Sequence, residues 1–425
     1  MTSPTLQRPS DTGPQDRCES RYRARHVLWN LSSLKRVRHC GRYARSGDGV
    51  GVKITTDAAG DRRAGFSNVQ TCGSVWACPR CSAKIAAGRQ ADIEGALTEW
   101  HRRGGRVALV TLTMRHRRGQ SLASLWGGVS DAWHRATSGA AWKAEQRVHG
   151  VPMARVVRSG QFAGLTVVEN RLRTIRVVEV TEGQNGWHVH VHALVLVAPG
   201  ATVATVESIG QGMFGRWSAA LVGGGFEAPS GRHGLDVRRL EGDPAAALGE
   251  YFTKAQYSAS METARGDLKD ARGGNRTPFG ILRGLVEVHS TGSLEGREGL
   301  PEVSHDEAKW AEWEKASKGR RQVAWTIGLR AELLTEDPEL TDEELAEQDQ
   351  GGEQLDRLVE PATYAEITND RADWRVLVAF GHSDAAGWAL VDLYAARAAV
   401  RESTAAAGYG RLSLPRPDYR RRPRV

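Results

Sequence analysis

The chain has 425 residues, 40% hydrophobic and 25% charged, the proportions of a folded protein with room for two or three domains. No apolar run approaches the roughly 18 residues of a membrane span, and the start MTSPTLQRPSDTGPQDR lacks the apolar stretch of a secretory signal. A cytoplasmic protein with reduced thiols and no membrane partner is therefore expected. Net charge is +8, but residues 331–370 hold 14 Asp or Glu against one Arg, which leaves +21 on the remainder. Such a basic body favours a polyanion partner, nucleic acid above all, although 49 Arg against nine Lys also fits GC-rich coding.

Residues 1–35 are polar, Pro-containing and Arg-rich, which predicts a disordered basic arm carrying Cys18 as a surface thiol. A small module follows over 36–100. Its run TCGSVWACPRCSAK spaces Cys72, Cys78 and Cys81 so that the C-P-x-C turn offers two thiolates to one zinc ion, backbone amides facing the sulfurs. Cys40 is the fourth ligand expected, with His39 as alternate, in a structural zinc ribbon for a module too small to be stable unaided.

From Arg106, VALVTLTM reads as a buried strand, and residues 121–137 place Leu122, Leu125, Trp126, Val129 and Trp133 at helical spacing. Residues 172–181 and 187–197 are strand-like runs joined by EGQNG, whose Asn185-Gly186 predicts a tight hairpin. A helix over 203–221 and a strand over 233–240 come next. Asp243 and Pro244 then open a further helix as N-cap and first helical residue. This order predicts an α+β fold over 101–290, an antiparallel central sheet with flanking helices. Residues 301–425 read as a mostly helical accessory region with an acidic segment and a basic tail, to which no chemistry is assigned.

In GWHVHVHALVLV, His188, His190 and His192 alternate with Val189, Val191 and Ala193, so three imidazoles project from one strand face. Two imidazoles so placed share one metal ion. If Asn185-Gly186 forms the turn, Thr181 faces His190 and Glu179 faces His192, which puts the carboxylate on the histidine face as a third ligand or an orienting group. The alternative is an ordinary Glu179–Arg pair. His116, just beyond the strand that starts at Arg106, is a weaker candidate ligand. Trp187 is expected in the core. On the helix opened by Asp243, Tyr251 and Lys254 stand three residues apart and share a face. A nearby cation favours the phenolate that a nucleophilic tyrosine needs. The clusters RRGGRV, MRHRRGQ and KGRRQ suit phosphate contacts or plain solvated surface equally.

Taken in order, TLT at 111–113, HVHVHALVLV and EYFTK resemble the three motifs of the His-hydrophobe-His endonuclease superfamily, in particular the single-tyrosine rolling-circle replication initiators of small bacterial plasmids. The resemblance runs from Cys72 to about Phe279 and extends to the Cys motif. It implies binding of single-stranded or cruciform origin DNA and a metal-dependent nick that leaves a 5′-phosphotyrosine and a free 3′-hydroxyl primer. By position, His190 and His192 match the ligands of a catalytic Mg or Mn ion, His188 being an extra. Tyr251 matches the nucleophile and Lys254 the phosphate-positioning lysine. The glutamate expected four residues before the tyrosine is Ala247 here, and Glu250 is the nearest substitute. Host helicase and polymerase are the implied partners, and a homodimer is compatible with the resemblance. A transposase or relaxase with the same chemistry, or a zinc-ribbon regulator without catalysis, are the competing expectations.

Overall fold

A computed structural model describes residues 14–56, 60–156, 159–240, 275–290, 301–334, 338–348 and 351–406. The chain divides into two compact units, one built from the residues up to Ser74 and from Ala346 onward, the other from Val75–Leu345. Among the described residues, no helix is long and apolar enough to cross a membrane.

The first unit opens with helix α1 (Pro14–Leu31) and the short α2 (Lys35–His39). The polar composition of residues 14–31 predicts disorder, yet this segment is helical. Ala24, Val27 and Leu28 turn inward at helical spacing, and Arg25 and His26 are buried beside them against the carboxylate of Asp373. The His26 Nε2–Asp373 Oδ1 contact is 2.6 Å. Gly41, at φ +61°, lets the chain pass so close that a Cβ there would strike the Arg25 guanidinium. Strands β1 (Gly51–Thr56) and β2 (Arg62–Ser67) pair antiparallel.

The second unit begins with α3 (Pro79–Arg102), capped by Cys78 with Pro79 in its first turn, and β3 (Arg106–Thr113). Helices α4 (Leu122–Ala136) and α5 (Gly139–His149) follow, then a separate hairpin of β4 (Val151–Val156) and β5 (Thr166–Arg171). The long pair β6 (Arg173–Gly183) and β7 (Gly186–Val197) leads into α6 (Val203–Gly223) and β8 (Leu235–Leu240). After α7 (Pro278–Ser290) and α8 (Pro301–Ser317), β9 (Val323–Trp325) completes an antiparallel five-stranded sheet in the order β8-β3-β7-β6-β9. The α+β architecture with an antiparallel sheet matches the sequence expectation.

The two faces of this sheet are covered unequally, and the composition of β7 shows it. Residues 193–197 are apolar without a break because both faces are buried there. Leu194 and Leu196 pack with Val107, Leu109 and Ile175 against Ile93, Leu97 and Trp100 of α3. Over residues 187–192 the pattern alternates: Trp187, Val189 and Val191 are fully buried, while their neighbours on the α3 side are histidines. Trp187 is core as expected, stacked on Trp313 with ring centroids 6.0 Å apart and donating its indole N–H to Glu312 at 2.7 Å.

Residues from Ala346 return to the first unit. The short β10 (Glu353–Gln354) adds to β1, giving the order β10-β1-β2. Helices Pro361–Asn369, Asp373–His382 and Asp384–Ala406 then close a core that includes Val52, Phe66, Tyr364, Val376, Phe380 and Tyr394.

Candidate metal centre

The β6–β7 hairpin turns through Gln184 and Asn185, with Gly183 opposite Gly186. A turn centred on Asn185-Gly186 would need a positive φ at Asn185, but only Gly186 takes one, at +83°. The register is therefore shifted by two residues from the sequence expectation: Glu179 stands opposite His190, not His192, and Thr181 opposite His188. A shift of two preserves the face. Glu179 remains among the histidines, and its Oε2 lies 3.1 Å from His190 Nε2 and 3.0 Å from His192 Nε2. The ligand atoms of Glu179, His190 and His192 all fall within 4.8 Å of one another.

Burial alone would raise the Glu179 carboxyl, but the facing His190 and His192 hold it well below the usual carboxylate range, so it is ionised. Burial pushes the His192 imidazole down, against the pull of Glu179, and favours its neutral, ligand-competent form. The Thr111 hydroxyl lies 3.0 Å from His192 Nδ1. When it accepts Nδ1–H, His192 Nε2 turns a lone pair rather than a proton toward Glu179 Oε2. Two lone pairs then face each other, an arrangement that a cation between them relieves. His190 Nδ1 is buried without a hydrogen-bond partner. Two imidazole nitrogens and one carboxylate oxygen fit a divalent ion with open positions.

His188 and His116 extend the row. Their Nδ1 atoms are 3.3 Å apart and the rings meet edge to face, while His188 and His190 have centroids 4.9 Å apart. Burial first, then the neighbouring His190 and His116, push His188 down to about 3, and burial lowers His116. Neither belongs to the three-residue cluster.

The expected thiol set also comes together. Cys40, Cys72, Cys78 and Cys81 are buried with their sulfurs within 4.8 Å of one another, a group that suits a tetrahedral metal ion and fits a zinc ribbon. His39 is not needed as a substitute. Its ring packs edge to face on Tyr43 instead, at 5.2 Å.

The chain is 34% identical over 317 residues to "Protein rep" of Streptomyces lividans, an alignment covering 67% of each chain. It belongs to this Rep protein's family. It is also 27% identical over 304 residues to "Neomycin resistance protein" of Streptomyces cyanogenus, covering 58% of this chain and 65% of that one. The chain thus spans about two thirds of the length of these relatives. No protein-family model and no solved structure matches it.

In this Rep-family chain, sequence reasoning missed Asp236. Thr111 pairs with His192 on one side and with Asp236 on the other, so Asp236 shares the histidine face, in an ion pair with Arg238 at 2.8 Å. The strand 233–240 is legible in the sequence, but nothing local tells that it lies beside β3. Tyr251, Lys254 and Glu250 lie outside the described residues, as does the helix expected from Asp243.

Proposed function

We propose that the chain is a plasmid replication initiator that opens one strand of its origin by tyrosine attack. The observation that carries this reading is the convergence of Glu179, His190 and His192, from adjacent antiparallel strands, on one point of the sheet face. Kinship with a Rep protein and the basic charge outside residues 331–370 support it.

Glu179, His190 and His192 would hold a Mn or Mg ion, which would supply positive charge to the scissile phosphate. Glu179 keeps that ligand set anionic, and Thr111 holds His192 in the tautomer that presents Nε2. The Tyr251 phenolate oxygen bonds to phosphorus, the P–O3′ bond breaks, and the departing 3′-oxygen takes up a proton to become the primer hydroxyl. The 5′-phosphate stays on Tyr251. Lys254, three residues on in sequence, neutralises phosphate charge, and Glu250 is the nearest carboxylate in sequence to activate the terminating water. Return of the 3′-oxygen onto phosphorus rejoins the strand. Single-stranded or cruciform origin DNA is the substrate, and host helicase and polymerase use the exposed end in the cytoplasm.

The test incubates the protein with single-stranded DNA carrying an inverted repeat adjoining its gene, plus Mn, followed by a denaturing gel. The wild type gives a shifted covalent band; Tyr251→Phe gives none while still binding the DNA. No band from the wild type contradicts the reading and favours a DNA-binding regulator.

A further inference from the structure

Residues 35–45, KRVRHCGRYAR, hold five Lys or Arg and no acid. Val37, Cys40 and Gly41 are buried, whereas Lys35, Arg36, Arg38, Tyr43 and Arg45 are exposed, so this stretch of the first unit anchors itself by its small and apolar residues and presents its cations. Lys35, Arg36, His39 and Arg45 line an open pocket of about 280 Å³ with Gln70 and Thr71. Glu347 of the same unit reaches its edge, accepting from Arg45 at 3.0 Å and from the Thr71 hydroxyl at 3.3 Å. Three cations against one carboxylate leave the lining of this pocket net positive, which favours an anionic ligand. Beside it, the Tyr43 ring is braced by His39 at 5.2 Å and by the Arg42 guanidinium 5.5 Å from its centroid, yet remains 41% exposed.

We propose that this face is a nucleic-acid docking surface of the first unit, separate in sequence from the histidine centre. It rests on the reading of DNA as the substrate. Phosphates of a strand track Lys35, Arg36 and Arg38, a backbone phosphate displaces Glu347 from Arg45, and Tyr43 stacks on an unpaired base. Cations interleaved with a braced, exposed aromatic ring are the pattern by which single strands and junctions are gripped without sequence preference. An anionic lipid surface is met by apolar side chains beside the cations, and among the hydrophobic residues of 35–45 Tyr43 alone is exposed.

The test uses the full chain and two labelled probes, an arbitrary duplex of about 30 base pairs and a (dT) strand of about equal length, titrated across a salt series. In the triple variant Lys35→Ala/Arg36→Ala/Arg38→Ala, the slope of log affinity against log salt on duplex falls by about 2 to 3, at about 0.9 for each phosphate no longer neutralised. Tyr43→Ala weakens the (dT) strand about tenfold and leaves duplex binding in place. Glu347→Gln tightens both probes, a gain that loss of folding does not imitate. An unchanged slope in the triple variant together with no gain in Glu347→Gln overturns the proposal. So does binding to phosphatidylserine vesicles that the triple variant loses while keeping its DNA affinity. Covalent adduct is read in the same samples. A wild type that makes no adduct, with the salt slope still reduced in the triple variant, defeats the nicking reading and keeps the surface. Adduct with an unchanged slope and no gain in Glu347→Gln does the reverse.

Discussion

Thr111 and His192 face each other across the β3–β7 pair, and the threonine hydroxyl lies 3.0 Å from the imidazole Nδ1. When the hydroxyl accepts Nδ1–H, the His192 Nε2 lone pair is free for a metal ion. Thr111→Val keeps the shape and removes the hydroxyl. Mn affinity, read by calorimetry, is expected to fall by about ten- to a hundredfold, while the melting temperature of metal-free protein changes little, since one half-buried hydrogen bond is worth about 1 kcal/mol. Unchanged affinity contradicts the orienting role.

Binding of Mn to the native state alone raises stability by about 2.7 kcal/mol at a hundred times its dissociation constant. The melting temperature of the wild type is therefore expected to climb with Mn concentration. His190→Ala/His192→Ala removes two of the three ligand side chains, and its melting curve is expected to ignore Mn. Equal Mn shifts in both proteins place the ion elsewhere.

The four buried thiols lead to a separate expectation. Mild purification in chelator-free buffer gives one zinc per chain by metal analysis, and Cys78→Ser/Cys81→Ser loses it together with much stability, because zinc binding at such a site is folding free energy. Less than one zinc in the wild type removes the site.

His188 titrates near 3 in the folded chain, pushed down from 6.5 by burial and then by His190 and His116. Below its ordinary value the unfolded chain takes up this proton and the folded chain does not. The stability linked to His188 is thus complete above about pH 6.5 and is lost progressively as pH falls toward 3. In metal-free protein, urea midpoints across this window are expected to decline less steeply for His188→Gln than for the wild type. Parallel curves contradict the assignment.

Much of the sheet is legible in the sequence because its signals are local. The alternation of His and Val in β7 marks the face, and Glu179 lands on that face even though the hairpin register is two residues off. Side-chain parity survives such a shift; the identity of the opposed residue does not. What stays hidden depends on partners far along the chain. Residues 14–31 resemble a disordered arm because Arg25 and His26 count as polar until Asp373, more than 340 residues away, meets them in the core. A buried pair of this kind costs about 3–5 kcal/mol when one member is removed, enough to decide whether the segment orders. Asp236 escapes for the same reason, since only the β3–β8 pairing brings it beside the histidines.

The most direct measurement is mass spectrometry of the covalent adduct after nuclease trimming and tryptic digestion. The expected result is a nucleotide on the peptide containing Tyr251 in the wild type, and almost no adduct when His190 and His192 are both replaced by Ala. A nucleotide on another residue, or an undiminished adduct in the double histidine variant, would show that this histidine row is not the centre at which the strand is cut.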